Sequence, residues 1–255
     1  MDVFLKRQPN GIYLPPQTSQ ELLQSEPLHA QSPTELADEV AELKSRHVRL
    51  VSVRRQQIIR LGQQELQHVL DANGLQVSAI GYAGGFTGTL GRNYESAAAD
   101  ILRALELAAS FNAQSLVVVP GSRTGHTCNH ASRTIQEGLN RCLDDALRFR
   151  IDLQIALNNV IGGRDDVFVP KDESPLDWVK GLGSHRIKGM IVLRGGSPWK
   201  DLPDCWRRCI LSGGILRLSR SCRQMAGTGY VMSRILSGLN EFSAAATDTA
   251  FVSNS

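Results

Sequence analysis

Short apolar runs rich in β-branched residues alternate with segments of helical periodicity from one end of this chain to the other. The runs are Gly11–Leu14, Val48–Val53, Leu75–Ile80, Ser115–Val119, Ile151–Leu157, Ile187–Leu193, Ile215–Leu218 and Thr249–Val252. The core runs are near-continuously apolar rather than alternating. A strand needs that pattern when both of its faces are covered, as in a parallel sheet under helices. In Tyr94–Asn112 the apolar positions Ile101, Leu102, Leu105, Ala108 and Ala109 recur at helical spacing, and in Thr134–Phe149 Ile135, Leu139, Cys142, Leu143 and Leu147 do the same. Asn73-Gly74 and Phe111-Asn112 stand where a helix should close before the next strand.

Eight such βα units in 255 residues predict a single (β/α)8 barrel over residues 1–255. An open doubly wound sheet is the alternative. No glycine fingerprint of the dinucleotide or P-loop kind follows the first run, which lowers it. Gln17–Pro33 is polar and punctuated by proline, and reads as a long first βα loop or a lid. Ser243–Ser255, rich in Ser, Thr and Ala, reads as a weakly ordered tail.

Composition narrows the class of partner. A net charge of +3 and an aromatic content of 5% give neither the basic surface nor the stacking platforms of a nucleic-acid binder. Five cysteines, odd in number and irregularly spaced, argue against a disulfide scaffold and fit a reducing cytoplasm. Met1–Arg7 lacks the apolar core of a signal peptide, and no apolar run reaches membrane-spanning length.

Two connections carry the polar chemistry. Gly81–Gly91 follows the third run and holds Gly84, Gly85 and Thr87. Paired glycines let backbone approach a ligand and expose its N–H groups; a glycine-rich turn without a ligand is the plain alternative. Pro120–His130 follows the fourth run and gathers Arg123, His126, Cys128, Asn129 and His130. His126 and His130 are four residues apart and share a face if a helix has begun. A bare pair of histidines without a carboxylate is a weak metal signal, so hydrogen-bonded loop histidines remain an equal reading. Cys205 and Cys209 are read as one packed helix face.

Arginines recur at the predicted carboxyl ends of strands: Arg54 and Arg55, Arg123, Arg194 and Arg220. In a parallel barrel these lie at one rim, where guanidinium groups make a site for phosphate or carboxylate. The ends of the fifth, sixth and seventh strands carry Ala156-Leu157-Asn158-Asn159, Arg194-Gly195-Gly196 and Ser219-Arg220, without Asp, Glu or His. A hard divalent cation needs several such ligands.

The pair Ala83-Gly84-Gly85-Phe86-Thr87-Gly88 and Gly125-His126-Thr127-x-Asn129-His130 resembles the sugar phosphate isomerase/epimerase family, xylose isomerase-like TIM barrels related in fold to endonuclease IV. The likeness is clearest from Leu66 to Leu157. It implies aldose–ketose isomerisation or epimerisation beside a carbonyl, with a divalent metal held by acids at the ends of the later strands. At those positions this chain has Ala156, no Asp or His near Leu193–Gly196, Ser219-Arg220-Ser221 and Ser253-Asn254. What carries over is Arg123, His126, Asn129 and His130, with Gly84, Gly85 and Thr87; Arg55 matches a basic position after the second strand.

The expectation is a barrel that binds a sugar phosphate or similar anion through Gly84, Gly85, Thr87, Arg55, Arg123, Asn129, Arg194 and Arg220, with no metal cofactor. Two other readings stay open: an active isomerase or epimerase with His126 or His130 as acid/base, and a structural or partner-binding relic. Asp165, Asp166, Asp172 and Glu173, in the loop after the fifth strand, are the acids that could replace missing ligands.

Overall fold

Seven parallel strands pair in chain order: β1 (Glu26–Pro27), β2 (Leu50–Arg54), β3 (Gln76–Gly84), β4 (Ser115–Val119), β5 (Asp152–Ala156), β6 (Ile187–Leu193) and β7 (Ile215–Leu218). The computed structural model describes residues 25–88, 93–123, 125–157, 175–193 and 215–218. The helices are α1 (Pro33–Ser45), α2 (Arg55–Leu61), α3 (Gln63–Ala72), α4 (Tyr94–Ser110), α5 (Cys128–Phe149) and α6 (Pro175–Gly181). Among the described residues the order never reverses, so they show no switch point of the doubly wound kind. The right-handed rule for parallel crossovers puts the described helices on one side of such a sheet. Such a sheet leaves its other side to close on itself, and the architecture is the (β/α)8 TIM barrel expected.

Both faces of β3, β4 and β5 are largely buried, which explains their continuous apolar runs. Val77, Ile80, Leu116, Val118, Leu153, Ile155 and Ile187 pack under the helices in one large core. Ala79, Val117, Val119, Ala156 and Met190 form a smaller cluster with Tyr82 on the other face, the barrel lumen. Burying one such Leu, Ile or Val contributes about 1.5–3 kcal/mol.

Local signals place the helices. Ser32 caps α1, accepting from the backbone N–H of Glu35 at 3.3 Å, with Pro33 at the first helical position. Asn93 caps α4 in the same way through Ser96. Gly74 and Asn112, with φ of 67° and 50°, follow α3 and α4 in the left-handed conformation that their types favour. Leu147 is exposed, and the buried face of α5 runs through Ala131, Ile135, Gly138, Leu139, Cys142 and Ala146.

Two expectations need correction. Residues 17–33 were expected to form a long loop or lid, but their described part is pinned to the sheet. Glu26–Pro27 pairs with β2, Leu28 N donates to Ser52 O at 2.9 Å, and buried Gln57 donates to the carbonyls of Leu28 and Ala30. The short strand escaped notice because Glu26-Pro27 has no strand propensity of its own; its neighbours fix it. The glycine connection was expected to start at Gly81, but β3 continues to Gly84, with a register shift between Gly81 and Ala83. The first and last strand runs, Gly11–Leu14 and Thr249–Val252, the tail Ser243–Ser255, and Cys205 and Cys209 lie outside the described residues.

At the amino-terminal end of the lumen the side chains turn polar. The Ser25 and Ser78 hydroxyls bond each other, Ser78 Oγ donates to Val51 O, Ser115 Oγ donates to Ser78 O, and Gln154 Nε2 donates to Ser115 Oγ. Asp152 pairs with Arg186 at 3.0 Å and with Lys188. Among the described residues, no helix is long and apolar enough to cross a membrane.

Candidate active site

The candidate site is the wall that β3, β4 and α5 build at the carboxyl ends of the strands, where barrels of this kind carry their ligands. Pairing between β3 and β4 does not stop at the strand ends. Gly85 N donates to Val119 O at 2.8 Å and Phe86 N to Pro120 O at 3.0 Å. The buried Thr87 hydroxyl donates to Ser122 O at 2.6 Å. Gly84 makes the approach possible. Its φ is 115°, and a Cβ there would lie 2.3 Å from Val119 O. The glycines expected to face a ligand thus serve first to zip two loops together.

The second loop closes onto the first through His126. Its Nε2 lies 3.2 Å from Thr87 O. A carbonyl only accepts, so Nε2 carries the proton and Nδ1 holds the lone pair of the neutral ring. Arg123 Nε donates to His126 O at 2.9 Å and His126 N to Arg123 O at 2.8 Å, which folds the loop over itself. Thr127 then caps α5, accepting from His130 N at 3.3 Å. Helix α5 starts after His126, yet the two imidazoles meet, with ring centroids 4.8 Å apart. Arg123, Asn129 and His130 are exposed and His126 is half-buried.

Arg55, expected among the ligand-binding guanidiniums, is paired within the fold. Its two terminal nitrogens bind the Asp100 carboxylate at 2.8 and 2.9 Å, and one also donates to Tyr82 O. This bidentate pair ties the start of α2 to α4. Asp100 is a residue that sequence reasoning missed. Its signal was an acid between Ala97, Ile101 and Ala104 on the apolar face of a helix. Phe86 and Gly138 were also missed. The ring of Phe86 is 1% exposed, and a Cβ on Gly138 would stand 2.3 Å from two of its atoms. Arg194 and Arg220, and the loop acids Asp165, Asp166, Asp172 and Glu173, lie outside the described residues.

No group of three His, Cys, Asp or Glu side chains converges among the described residues. His126 turns Nε2 to a carbonyl, His130 is exposed, and Ala156 occupies the end of β5 on the lumen side. These donors do not fit a hard divalent cation, which needs converging carboxylates.

No curated protein is significantly similar in sequence to this chain. Solved structures share its fold. The 3-keto-D-glucoside 4-epimerase of E. coli aligns with a TM-score of 0.62 at 11% identity, over 78% of this chain and 80% of that one. A D-psicose 3-epimerase from Clostridium cellulolyticum H10, solved with D-tagatose, aligns at 0.56 and 11% identity, over 87% of this chain and 98% of that one. An AP endonuclease of family 2 from Brucella melitensis aligns at 0.57 and 11% identity, over 78% and 93%. Sequential parallel strands, an apolar cluster on the lumen face and the polar loops after β3 and β4 agree with the match of residues 37–193 to the model of the xylose isomerase-like TIM barrels, and the chain belongs to the xylose isomerase-like TIM barrel family.

Proposed function

We propose that this chain is a sugar phosphate isomerase/epimerase-like barrel that binds a sugar phosphate or similar anion at its carboxyl-end mouth, with weak or no metal-dependent turnover. The observation that carries the second half is Ala156. It lies in the lumen cluster at the end of β5, where the family resemblance puts a metal-binding glutamate. A methyl group holds no cation and moves no proton. The first half is supported by the wall itself: exposed Arg123, Asn129 and His130 beside half-buried His126 give donors of both charged and neutral kinds. Two solved barrels of this fold are sugar epimerases by name. The reading has the protein act in the cytoplasm on a small ligand, without nucleic acid and without a resident metal.

The deciding experiment is calorimetry and thermal melting with ketohexoses, ketohexose phosphates and inorganic phosphate, with metal content measured alongside. A ligand that binds only the folded chain stabilises it by about 2.7 kcal/mol at a hundredfold excess over its Kd. Stabilisation by phosphates with no bound metal is expected. One equivalent of tightly held divalent metal, together with metal-dependent epimerisation, would sink the reading.

The close approach of the two imidazoles favours one rival, catalysis by His126 or His130 as acid/base. Exchange of a substrate proton alpha to the carbonyl into D2O, lost in His126→Asn, is the result that supports it.

A further inference from the structure

A histidine that must present one nitrogen to a ligand has to be held by the other, and here the hold traces back to an aromatic ring outside the mouth. Phe86 is joined to the β4 loop by its backbone, through the bond from its N–H to Pro120 O. The next residue, Thr87, binds Ser122 O with its hydroxyl and His126 Nε2 with its carbonyl. The Phe86 ring reaches the other way, onto α5 at Gly138, where the missing Cβ leaves room for it. A methyl there would lie 2.3 Å from Cδ1 and Cε1 and 2.8 Å from Cγ, far inside the closest carbon–carbon contact. Tyr94, at the start of α4, flanks the ring at 6.2 Å. One residue therefore joins the β3 loop to the β4 loop through its backbone and to the body of α5 through its ring, and α5 also carries Asn129 and His130.

We infer that Phe86, seated on Gly138, is a positioning residue that locks His126 as its Nε2–H tautomer, so that Nδ1 is the nitrogen offered to a ligand hydroxyl. His130 complements it. Arg133 Nη2 lies 3.4 Å from His130 Nδ1, and a guanidinium only donates, so the neutral His130 ring carries its proton on Nε2. The paired imidazoles, with ring centroids 4.8 Å apart, then offer one acceptor and one donor. That arrangement recognises neighbouring hydroxyls on a sugar, each hydroxyl being both donor and acceptor. Only this ligand class rests on the function proposed above; the tautomer lock does not.

The test is side-chain 15N NMR of the full chain at alkaline pH, for the wild type, Gly138→Ala, Phe86→Leu and the double variant. Far-UV circular dichroism checks each fold. A single Nε2–H signature for His126 is expected in the wild type. In Gly138→Ala the ring is displaced, the signature becomes a mixture of tautomers, and affinity for a ketohexose phosphate falls about tenfold. Phe86→Leu keeps an apolar side chain but loses the seat, and shows the same mixing. Because the leucine leaves room for the methyl, Gly138→Ala adds no further loss in the double variant, the non-additivity of residues in contact. Should Gly138→Ala not fold, Phe86→Leu decides. A His126 that keeps one Nε2–H tautomer in the folded variants overturns the inference, as does a wild type already mixed. If the wild type keeps the lock but binds no sugar phosphate, the tautomer inference stands and only the proposed ligand fails.

Discussion

The two ends of the barrel are both polar, but they use polarity differently. At the amino-terminal end, Ser25, Ser78, Ser115 and Gln154 bond each other in a buried chain, and Asp152 is held between Arg186 and Lys188. At the carboxyl end, Thr87, Ser122 and His126 bond each other to align two loops, while Arg123, Asn129 and His130 remain at the surface. The density of polar residues does not separate a site from a structural layer. The separating property is whether donors and acceptors are satisfied inside the fold or presented outward. Conserving a barrel's closed end serves stability, and varying its open end serves function.

Arg55 is the sharpest challenge to that division, because it sits at the open end and behaves like the closed one. Asp100 is 5% exposed and its carboxylate is the acceptor of the bidentate pair. Asp100→Ala leaves a partly buried guanidinium without its carboxylate, with Tyr82 O still accepting from it, and removing one member of a buried pair costs about 3–5 kcal/mol; that remaining bond and some solvent access to Arg55 put the expected loss near the lower figure. Urea denaturation measures it. Folded Asp100→Ala should still bind the phosphate probes. A variant that is stable but no longer binds them would move Arg55 and Asp100 into the site.

Smaller losses are expected from the closed end. Gln154→Leu deletes a donor to Ser115 Oγ inside the lumen, and leaving such a group short of a partner costs about 1–3 kcal/mol. Ligand affinity should not change. The open end should give the reverse pattern. Asn129 and His130 are exposed, so Asn129→Ala and His130→Ala should alter stability by no more than about 0.5 kcal/mol. Each should weaken binding of a ketohexose phosphate about tenfold in calorimetry, the loss expected for one hydrogen bond to a charged or polar ligand group. Equal effects on stability at both ends would erase the contrast.

How much of this the sequence revealed follows from where each interaction is made. A continuous apolar run is a mark within one strand, so Ser115–Val119, Ile187–Leu193 and Ile215–Leu218 were legible residue for residue. Capping is equally local, and Asn73-Gly74 marked a real helix end. The Glu26–Pro27 strand, the Arg55–Asp100 pair and the seat of Phe86 on Gly138 join residues far apart in the chain, and no local pattern encodes them. The candidate wall fell between these cases. Its residue types were readable in Arg123–His130, but the engagement of Gly85 and Thr87 with the β4 loop was not.

The contrast between engaged and presented groups recurs along a single helix, and there it makes a prediction in pH. Cys128 lies half-buried in the first turn of α5 at the mouth, whereas Cys142 lies buried farther along on the same helix. Burial disfavours the charged thiolate and pushes the Cys142 thiol up to about 11, from an ordinary 9.0. The folded state therefore holds this proton more tightly than the unfolded chain does. Its contribution to stability is complete below pH 9 and drains away as the pH rises toward 11. Denaturation curves recorded across that interval should show stability falling more steeply in the wild type than in Cys142→Ala, by at most the slope of one proton, about 1.4 kcal/mol per pH unit. Peptide mapping after brief alkylation at neutral pH gives the independent check. Cys128 should be modified in the native protein and Cys142 only after unfolding. Native labelling of Cys142 at the rate of Cys128 would mean that α5 opens on the labelling timescale, and the rigid wall that it carries would lose its support.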